Sequence, residues 1–492
     1  MDIKKRDLIK NVSYGAATLS LLNLTACGES LMSDAGETAA QGIANQDAPI
    51  SKKQWDKNVE RIKARIQLPK IPNRDFVLTD YTGQGDGQFD NTQAFKDAIA
   101  AAHKEGGGRI VVPQGEYLTG PIHLESNIEL HISEGATVAF IPEPERYKPY
   151  VFTRWEGTEL IGYSPLIYAF KKNNIAITGK GTLEGGGSND HWWPWKGKWK
   201  KADWTISEVE NQKHTRDVLR QMAEDQVPVE QRVFEQNYLR PPFIQPYLCT
   251  NVLIEGVTVK NSPFWLLNPV LCTSVTIRDV HCDSYGPNSD GCDPEACKDV
   301  LIENCVFDTG DDCIAIKSGR NADGRRVAVP CQNIVIDKCQ MKAGHGGVVI
   351  GSEISGGVRN LYAQNCEMSS PDLARGIRIK TNSIRGGLLE NLNYRDIHIG
   401  KVKDAIVVNF YYEEGDVGQF KPELKNINIQ NLVVEEAQRA FVIRGYPHTP
   451  ISGITLTDVE IKKVEKQSQI ENVSDVKLNN VKVGGALIKE LV

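Results

Sequence analysis

Short segments that alternate aliphatic and polar residues recur through the second half of the chain, and most of them follow an Asn, Asp or Ser. Alternation of this kind predicts strands with one buried face. Eight segments begin at aliphatic positions that we call the anchors: Val252, Val275, Val300, Ile334, Leu361, Ile427, Ile454 and Val476. The first spacings are 23, 25, 34 and 27 residues, and a less regular segment, GGLLENLNYRDIHI, fills the wide gap before Ile427.

A recurrence of roughly 20 to 30 residues predicts a solenoid of stacked coils. The leucine and asparagine frame of a leucine-rich repeat is missing, and a propeller needs about 40 residues per blade. We therefore predict an all-β fold, a single-stranded parallel β-helix, and the usual crossover preference makes it right-handed. Upstream, the segment DNTQAFKDAIAAAHKEGGG predicts a short N-terminal capping helix, started by Asp90 or Asn91 and stopped by the glycines from Gly106 to Gly108.

Cysteines follow the same period. Cys305, Cys339 and Cys366 each lie five residues after an anchor, so stacked coils bring them into one column. The chain has 11 cysteines, but it has no C-x-x-C pair and no zinc-ligand spacing. We predict buried free thiols that pack as small apolar side chains.

The first 27 residues differ from the rest. Lys4, Lys5 and Arg6 precede a short apolar stretch that ends in LTAC, and this pattern is typical of an export signal. LTAC resembles a bacterial lipobox, which makes Cys27 a candidate for lipidation. We predict an export signal over 1–27, a tether over 28–70 and a folded body over 71–492, with the protein in the periplasm or on the cell surface, attached to the membrane only through the lipid.

The net charge of −6 over 492 residues leaves no global basic field, so nucleic acid is not an expected partner. Local polar residues carry the chemistry instead. Counted from the preceding anchor, the offsets are 15 residues for Asp290, 11 and 12 for Asp311 and Asp312, 11 for His345, and 17 and 19 for Arg378 and Lys380. Four consecutive coils, about 4.8 Å apart, therefore present an acid, an acid pair, a histidine and a cation pair along one side.

Regular strand geometry sends Asp311 and Asp312 to opposite faces, but Gly310 before them permits a bend. Carboxylates this close cannot all ionise freely, so at least one pKa is expected to rise. A proton held beside an ionised carboxylate is the arrangement that glycoside hydrolysis needs. A calcium-binding ladder is the alternative, although it does not explain His345 and the cations that follow it.

Four segments in order, NSDGCDP, DTGDDCIAIKSG, GHGG and RIK, resemble the signature segments of the polygalacturonases, glycoside hydrolase family 28. The likeness runs from about Asp75 to the carboxyl end. It implies a pectin-lyase-like β-helix that hydrolyses the α-1,4 bond of galacturonan with inversion, without a cofactor or a metal. Inversion in turn implies a wide separation between the catalytic carboxyl groups, about 6.5–9.5 Å.

Residue by residue, the resemblance implies that Asp311 is the general acid, supported by His345, and that Asp290 and Asp312 activate the water. Arg378 and Lys380 are then expected to bind the galacturonate carboxylate. Tyr412, with Tyr411 as the fallback, is expected to contact sugar, and Asn288 to hold the loop or touch sugar. Packing is the alternative role for either tyrosine.

Thirty-three residues separate Asp312 from His345, and the insertion RNADGRRVAVP lies between them. With TRWEG and HWWPWKGKW, it resembles the bacterial exo-acting branch, in which extra loops close one end of the cleft. Arg320, Arg325 and Arg326 are candidates to grip a terminal carboxylate, or else belong to a solvated loop. Trp192, Trp193 and Trp195 either stack on sugar or pack the loop.

The expected partner is a pectic polysaccharide or oligogalacturonide, and we expect a monomer. Three alternatives remain open from the sequence: a related hydrolase of rhamnogalacturonan or xylogalacturonan, a calcium-dependent pectate lyase, and a non-catalytic surface protein that binds polysaccharide through the same groove.

Overall fold

The computed structural model describes residues 50–202, 204, 210–369 and 371–491. Three ladders of parallel strands wind around one buried core, as the repeat predicts, and the fold is a single-stranded right-handed parallel β-helix. Within the described chain, no helix is long and apolar enough to span a membrane. The predicted lipidation site at Cys27 lies outside the described residues.

The strands fall into three ladders that we number in the order in which the chain meets them. The first contains Asp75–Val77, Gly108–Val112, Ile128–Ile132, Asn173–Gly179, Thr250–Glu255, Thr273–Arg278, Lys298–Glu303 and Cys331–Asp337. The second contains Asp86–Asp90, Gly115–Thr119, Ala136–Phe140, Thr182–Glu184, Thr258–Lys260, His281–Ser284, Val306–Thr309 and Gln340–Met341. The third contains Ile122–His123, Ile167–Phe170, Ile244–Tyr247, Ile314–Ile316, Val348–Ile350, Arg375–Lys380 and Gln469–Glu471.

Towards the carboxyl end the strands lengthen and bend from one ladder into the next. Val358–Met368, Ile454–Val464 and Val476–Val483 serve the first two ladders, and Leu388–Asn409 and Glu423–Arg444 run through all three. Two pairings are antiparallel. Val151–Trp155 forms a hairpin with Thr158–Gly162, and the short strand Ala486–Leu487 pairs with Val476–Val483. The α-helices are Lys52–Lys63, Thr92–Lys104, Gln212–Glu224 and Asn321–Val327, and the 3₁₀ turns are Leu78–Tyr81, Pro144–Tyr147, Trp193–Lys196 and Val229–Gln231.

The anchors stack in register in the first ladder, where Val275 pairs with Val300, and both are fully buried. The residue before an anchor has a left-handed backbone, with φ of +58° at Asp299 and +59° at Asn333. Short polar side chains tolerate this conformation better than aliphatic ones do. The side chains also join neighbouring coils, since Asn360 Nδ2 donates to Asn333 Oδ1 at 3.0 Å. This turn explains why Asn, Asp or Ser precedes most of the repeats.

The predicted cysteine column is confirmed. The register of the first ladder aligns Cys305, Cys339 and Cys366, and all ten cysteines of the described chain are free and buried. The capping helix is also present as Thr92–Lys104, and its start is fixed by Asp90, whose Oδ1 accepts from the Thr92 backbone N at 3.0 Å.

The predicted tether over 28–70 is too long, because its second part belongs to the folded body. Helix Lys52–Lys63 packs on the outer face of the first ladder, with Trp55 fully buried against Tyr362 at a ring distance of 5.2 Å. Lys63 bonds Glu303 and Asp337, both at 3.0 Å. The sequence shows the helix but not the surface on which it docks.

Three insertions meet beside the third ladder: the hairpin that carries TRWEG, helix Gln212–Glu224 and helix Asn321–Val327. Arg220 Nη2 donates to Glu156 Oε2 at 2.6 Å, which joins the second insertion to the first. The backbone N of Glu159 donates to Asp323 Oδ2 at 2.8 Å, which joins the third to the hairpin. Together they form a wall on one side of the corner described next.

Candidate active site

The four predicted catalytic residues lie at one corner of the β-helix, where the chain turns from the second ladder into the third: Asp290, Asp311, Asp312 and His345. Cys292 pairs with Ile314, so Asp290 and Asp312, each two residues earlier, occupy equivalent positions on neighbouring coils. Pairing of Ile314 with Val348 places His345 beside Asp311 in the same way. The stacking that the offsets predict therefore comes from the register of the third ladder.

Gly310 allows the chain to turn before the acid pair, because its backbone packs closely against the preceding coil. A Cβ at Gly310 would lie 2.4 Å from the carbonyl oxygen of Gly286 on the preceding coil, so no larger residue fits without a shift. Asp311 then faces the cleft with a side chain 19% exposed, whereas Asp312 is fully buried. The two carboxylates point to the same side of the chain, as the sequence argument requires, but at different depths.

One carboxylate oxygen from each of Asp290, Asp311 and Asp312 lies within 4.8 Å of the others. The wide carboxyl separation expected for inversion stays a prediction, because the shortest oxygen-to-oxygen distances do not give the distance between the carboxyl groups. Oxygen clusters of this kind attract Ca²⁺. Both oxygens of Asp312 already bind protein cations, however, and this compensation leaves the cluster poorly suited to a dication.

Asp312 is held ionised by the cation pair. Arg378 Nη1 donates to its Oδ1 at 3.1 Å, and Lys380 Nζ donates to its Oδ2 at 2.6 Å. Burial acts to raise the pKa of Asp312, but the charges of Lys380 and Arg378 outweigh burial and lower it. Arg378 and Lys380 were expected to bind the substrate carboxylate, and the structure commits them first to Asp312.

Asp290 is the carboxyl group of the three whose surroundings favour the protonated form. It is 3% exposed, and its Oδ1 has no hydrogen-bond partner in the described chain. Lys317 Nζ approaches Oδ2 only to 4.0 Å. Burial, with the charges of Asp311 and Asp293, raises the pKa of Asp290 well above its usual range. The pKa of one carboxyl group of the three is thus raised, as the sequence predicts.

Asp311 and His345 form the solvent-facing pair of the site, with 2.9 Å between Asp311 Oδ1 and His345 Nδ1. The charge of Asp311 raises the pKa of His345, whose side chain is 46% exposed. Burial acts to raise the pKa of Asp311, but the charge and hydrogen bond of His345 outweigh it and hold that pKa below its usual range. Both shifts favour the ion pair, in which the proton lies on His345.

Tyr412 and Asn288 border the same cleft. Arg378 and Lys380 lie over the Tyr412 ring at 5.5 and 5.1 Å from its centroid, whereas Tyr411 packs edge-on against Tyr446 at 4.8 Å. The structure thus favours Tyr412 over the fallback. Asn288 Oδ1 accepts from the buried Arg240 at 2.7 Å, and within the described residues no hydrogen bond engages its amide nitrogen.

Arg320 lines the cleft but is already neutralised. Its Nη1 donates to Glu353 at 3.0 Å and its Nη2 to Glu414 at 3.1 Å. Arg325 lies over the Phe420 ring at 3.5 Å, and Arg326 pairs with Asp323, so neither of these two predicted arginines lines the cleft.

Two hollows flank the acid pair. A small cavity of about 240 Å³ is lined by Asp290 and Asp311 and, towards the wall of insertions, by Glu156, Lys196, Arg216, Arg220, Lys317, Arg320 and Glu353. On the other side of Asp311, a larger hollow of about 560 Å³ is lined by His345, Tyr285, Lys401 and Lys403. The cleft therefore has a small cavity on one side of Asp311 and a larger hollow on the other.

Sequence reasoning missed Lys317, Glu353 and Asp293. Lys317 is buried between Glu353 at 3.2 Å and Asp293 at 3.6 Å and lies 4.5 Å from the Trp265 ring centroid. Lys317 and Asp293 stand in the quoted motifs, but both are buried and lie outside the strands of the third ladder, so the alternation does not mark them. Glu353 has no sequence signal either, because only the fold brings it near.

Comparison with known proteins agrees with this geometry. The model of the glycosyl hydrolases family 28 matches residues 230–482. An exopolygalacturonase from Thermotoga maritima has 44% identity, covers 88% of this chain and 97% of its own, and superposes with a TM-score of 0.85. A polygalacturonase from Erwinia carotovora shares the fold, with a TM-score of 0.61 over 84% of this chain and 98% of its own at 22% identity.

Two further relatives are more distant in sequence. A probable polygalacturonase from Vitis vinifera is 28% identical over 80% of this chain and 75% of its own length. An exo-poly-alpha-D-galacturonosidase from Dickeya chrysanthemi is 25% identical over 84% of this chain and 71% of its own. The chain belongs to glycosyl hydrolases family 28.

Proposed function

We propose that this protein hydrolyses α-1,4-linked galacturonan and removes single galacturonate units from a chain end. The convergence of three carboxyl groups in different protonation states, beside His345 and the buried cations, carries the proposal. The similarity to polygalacturonases and exopolygalacturonases supports the substrate class.

Asp311 is the proposed general acid, and the His345–Asp311 pair is its proton store. The pair shares one proton, which has two alternative positions. On His345 it gives an ion pair, and on Asp311 it gives a neutral pair. Water at the exposed His345 favours the ion pair, whereas a bound sugar excludes that water and favours the neutral pair, because charges cost more in a low dielectric. Asp311 then donates the proton to the glycosidic oxygen.

Asp290 and Asp312 are proposed to hold and deprotonate the attacking water. Asp312 is fixed as a carboxylate by Arg378 and Lys380, and Asp290 must lose its retained proton before it acts as a base. Activity is therefore expected to rise as the pH passes the raised pKa of Asp290. It is expected to fall as the pH passes the raised pKa of His345, since the stored proton is then lost.

The two hollows give the direction of the chain. The oxygen that Asp311 protonates stays with the leaving chain, so that chain lies on the His345 side, in the wide hollow. The sugar that is attacked lies in the small cavity of about 240 Å³, below the roughly 300–1,000 Å³ of pockets for drug-sized ligands. Only one sugar ring fits there, and that ring is the non-reducing end.

Inversion at the anomeric carbon is part of the proposal because the family resemblance implies it, and retention through a covalent intermediate is the alternative outcome. Proton NMR of the first product decides between them. The α-linked substrate gives β-galacturonate first under inversion and α-galacturonate first under retention.

We also propose that the protein is exported, lipidated at Cys27 and monomeric. The basic start and the LTAC sequence support the lipid anchor. Radiolabelled palmitate incorporation that disappears in Cys27→Ser tests the anchor, and light scattering tests the oligomeric state.

The deciding experiment is incubation with polygalacturonate, with rhamnogalacturonan and xylogalacturonan as competing substrates. We expect reducing sugar without the absorbance of an unsaturated product, galacturonate as the sole early product, and no effect of a chelator. Unsaturated product would indicate a lyase, faster release from another pectin would identify a related hydrolase, and binding without turnover would indicate a non-catalytic surface protein.

A further inference from the structure

Trp192, Trp193 and Trp195 of the segment HWWPWKGKW pack the loop against the body of the fold. Trp192 is 3% exposed and meets Tyr147 edge-on at 5.3 Å. Trp193 Nε1 donates to the carbonyl oxygen of Ser262 at 2.9 Å, and Trp195 packs against Tyr238. Because three aromatic side chains hold this turn, the residue that follows them has a fixed position.

That residue is Lys196, the last residue of the 3₁₀ turn, and it lines the small cavity. Within the described chain, no hydrogen bond or ion pair engages its ammonium group. The other cations that line the cavity all have such a partner. Arg220 binds Glu156, Lys317 binds Glu353, and Lys380 binds Asp312. The same is true of Arg216, which bonds its neighbour Asp217, and of Arg320 with its two glutamates.

An unpaired cation inside a cavity is costly unless a ligand supplies the missing charge. Burial lowers the pKa of Lys196, which reflects this lack of a partner. The cavity holds one sugar ring, and the proposed substrate carries one carboxylate on each ring. Arg320, the cation that the sequence suggested for a terminal carboxylate, is neutralised by Glu353 and Glu414.

We propose that Lys196 binds the carboxylate of the terminal, non-reducing galacturonate and thereby selects an acidic chain end. Asn288, whose amide lines the same cavity, supplies a second donor to that sugar. The inference rests on the proposed function, since it assigns the sugar of the same site. Selection of an acidic end also means that the protein acts after esterases have removed methyl groups from that ring.

The kinetic test compares Lys196→Met with Lys198→Met, an exposed lysine of the same loop. The substrates are digalacturonate and its analogue methyl-esterified at the non-reducing carboxyl group. We expect Lys196→Met to raise KM for digalacturonate about ten- to a hundredfold, with a smaller change in kcat, as for one lost charge-assisted hydrogen bond. Wild type and Lys198→Met should prefer the free acid over the ester, and Lys196→Met should lose that preference.

A binding experiment separates this inference from the proposed function. Calorimetric titration with galacturonate and with galactose needs no turnover, and melting curves confirm that each variant is folded. We expect wild type and Lys198→Met to bind galacturonate more tightly than galactose. We expect Lys196→Met to bind the two sugars with similar affinity. If the wild-type protein binds galacturonate in preference to galactose but hydrolyses no galacturonan, the proposed hydrolase function is refuted and the role of Lys196 is not. A Lys196→Met protein with wild-type preference for the acid in either assay overturns the inference.

Discussion

Replacement of His345 by glutamine tests how the site stores its proton. The wild-type profile of kcat/KM against pH is expected to fall on the alkaline side at the pKa of His345, which Asp311 raises above its ordinary value. Glutamine keeps a polar side chain beside Asp311 but carries no titratable proton. The alkaline limb of the variant then reports Asp311 alone.

The magnitude follows from the geometry of the pair. An opposite charge at 2.9 Å shifts a carboxyl pKa by roughly one to three units, and the 46% exposure of His345 places this pair at the low end. Loss of His345 therefore raises the pKa of Asp311 by about one unit, still far below that of the histidine. We expect the optimum to move by about one unit or more to lower pH, and kcat/KM at neutral pH to fall about a hundredfold.

The assay measures reducing ends released from digalacturonate across the pH range, with kcat and KM separated at each pH. His398→Gln is the matched control, because His398 also has a raised pKa but pairs with Glu367 and Glu435 on the surface. It should leave the profile unchanged. A His345→Gln profile with the wild-type alkaline limb would refute the idea that this histidine stores the proton.

Three further changes test the catalytic and structural roles separately. Asp290→Asn should lower kcat about 10²–10⁴-fold with little change in KM and should remove the acidic limb of the pH profile. Gly310→Ala places a Cβ 2.4 Å from the oxygen of Gly286 and should cost about 1–3 kcal/mol of unfolding free energy in a urea titration. Trp55→Ala empties the contact with Tyr362 and should cost about 3–5 kcal/mol, while kcat at 25 °C stays unchanged.

The sequence by itself determined the fold and the corner that carries the chemistry. The alternation of aliphatic and polar residues predicts the strands, and the spacing of the strands predicts the length of a coil. Asn or Asp before an anchor such as Val300 marks the left-handed turn. Because parallel coils stack in register, equal offsets from the anchors become neighbours in space, as with Asp290 and Asp312. A periodic fold converts distance along the chain into position, so local patterns suffice there.

The tertiary structure alone decided which charges are free. Arg320 looks like a substrate cation in the sequence, yet Glu353 and Glu414, far from it along the chain, neutralise it. Lys196 looks like one lysine among several in its loop, yet burial without a partner sets it apart. The insertions that bring these groups together have no repeat, so nothing periodic in the sequence encodes their contacts. Ionisation and pairing depend on such long-range neighbours, and only the folded chain supplies them.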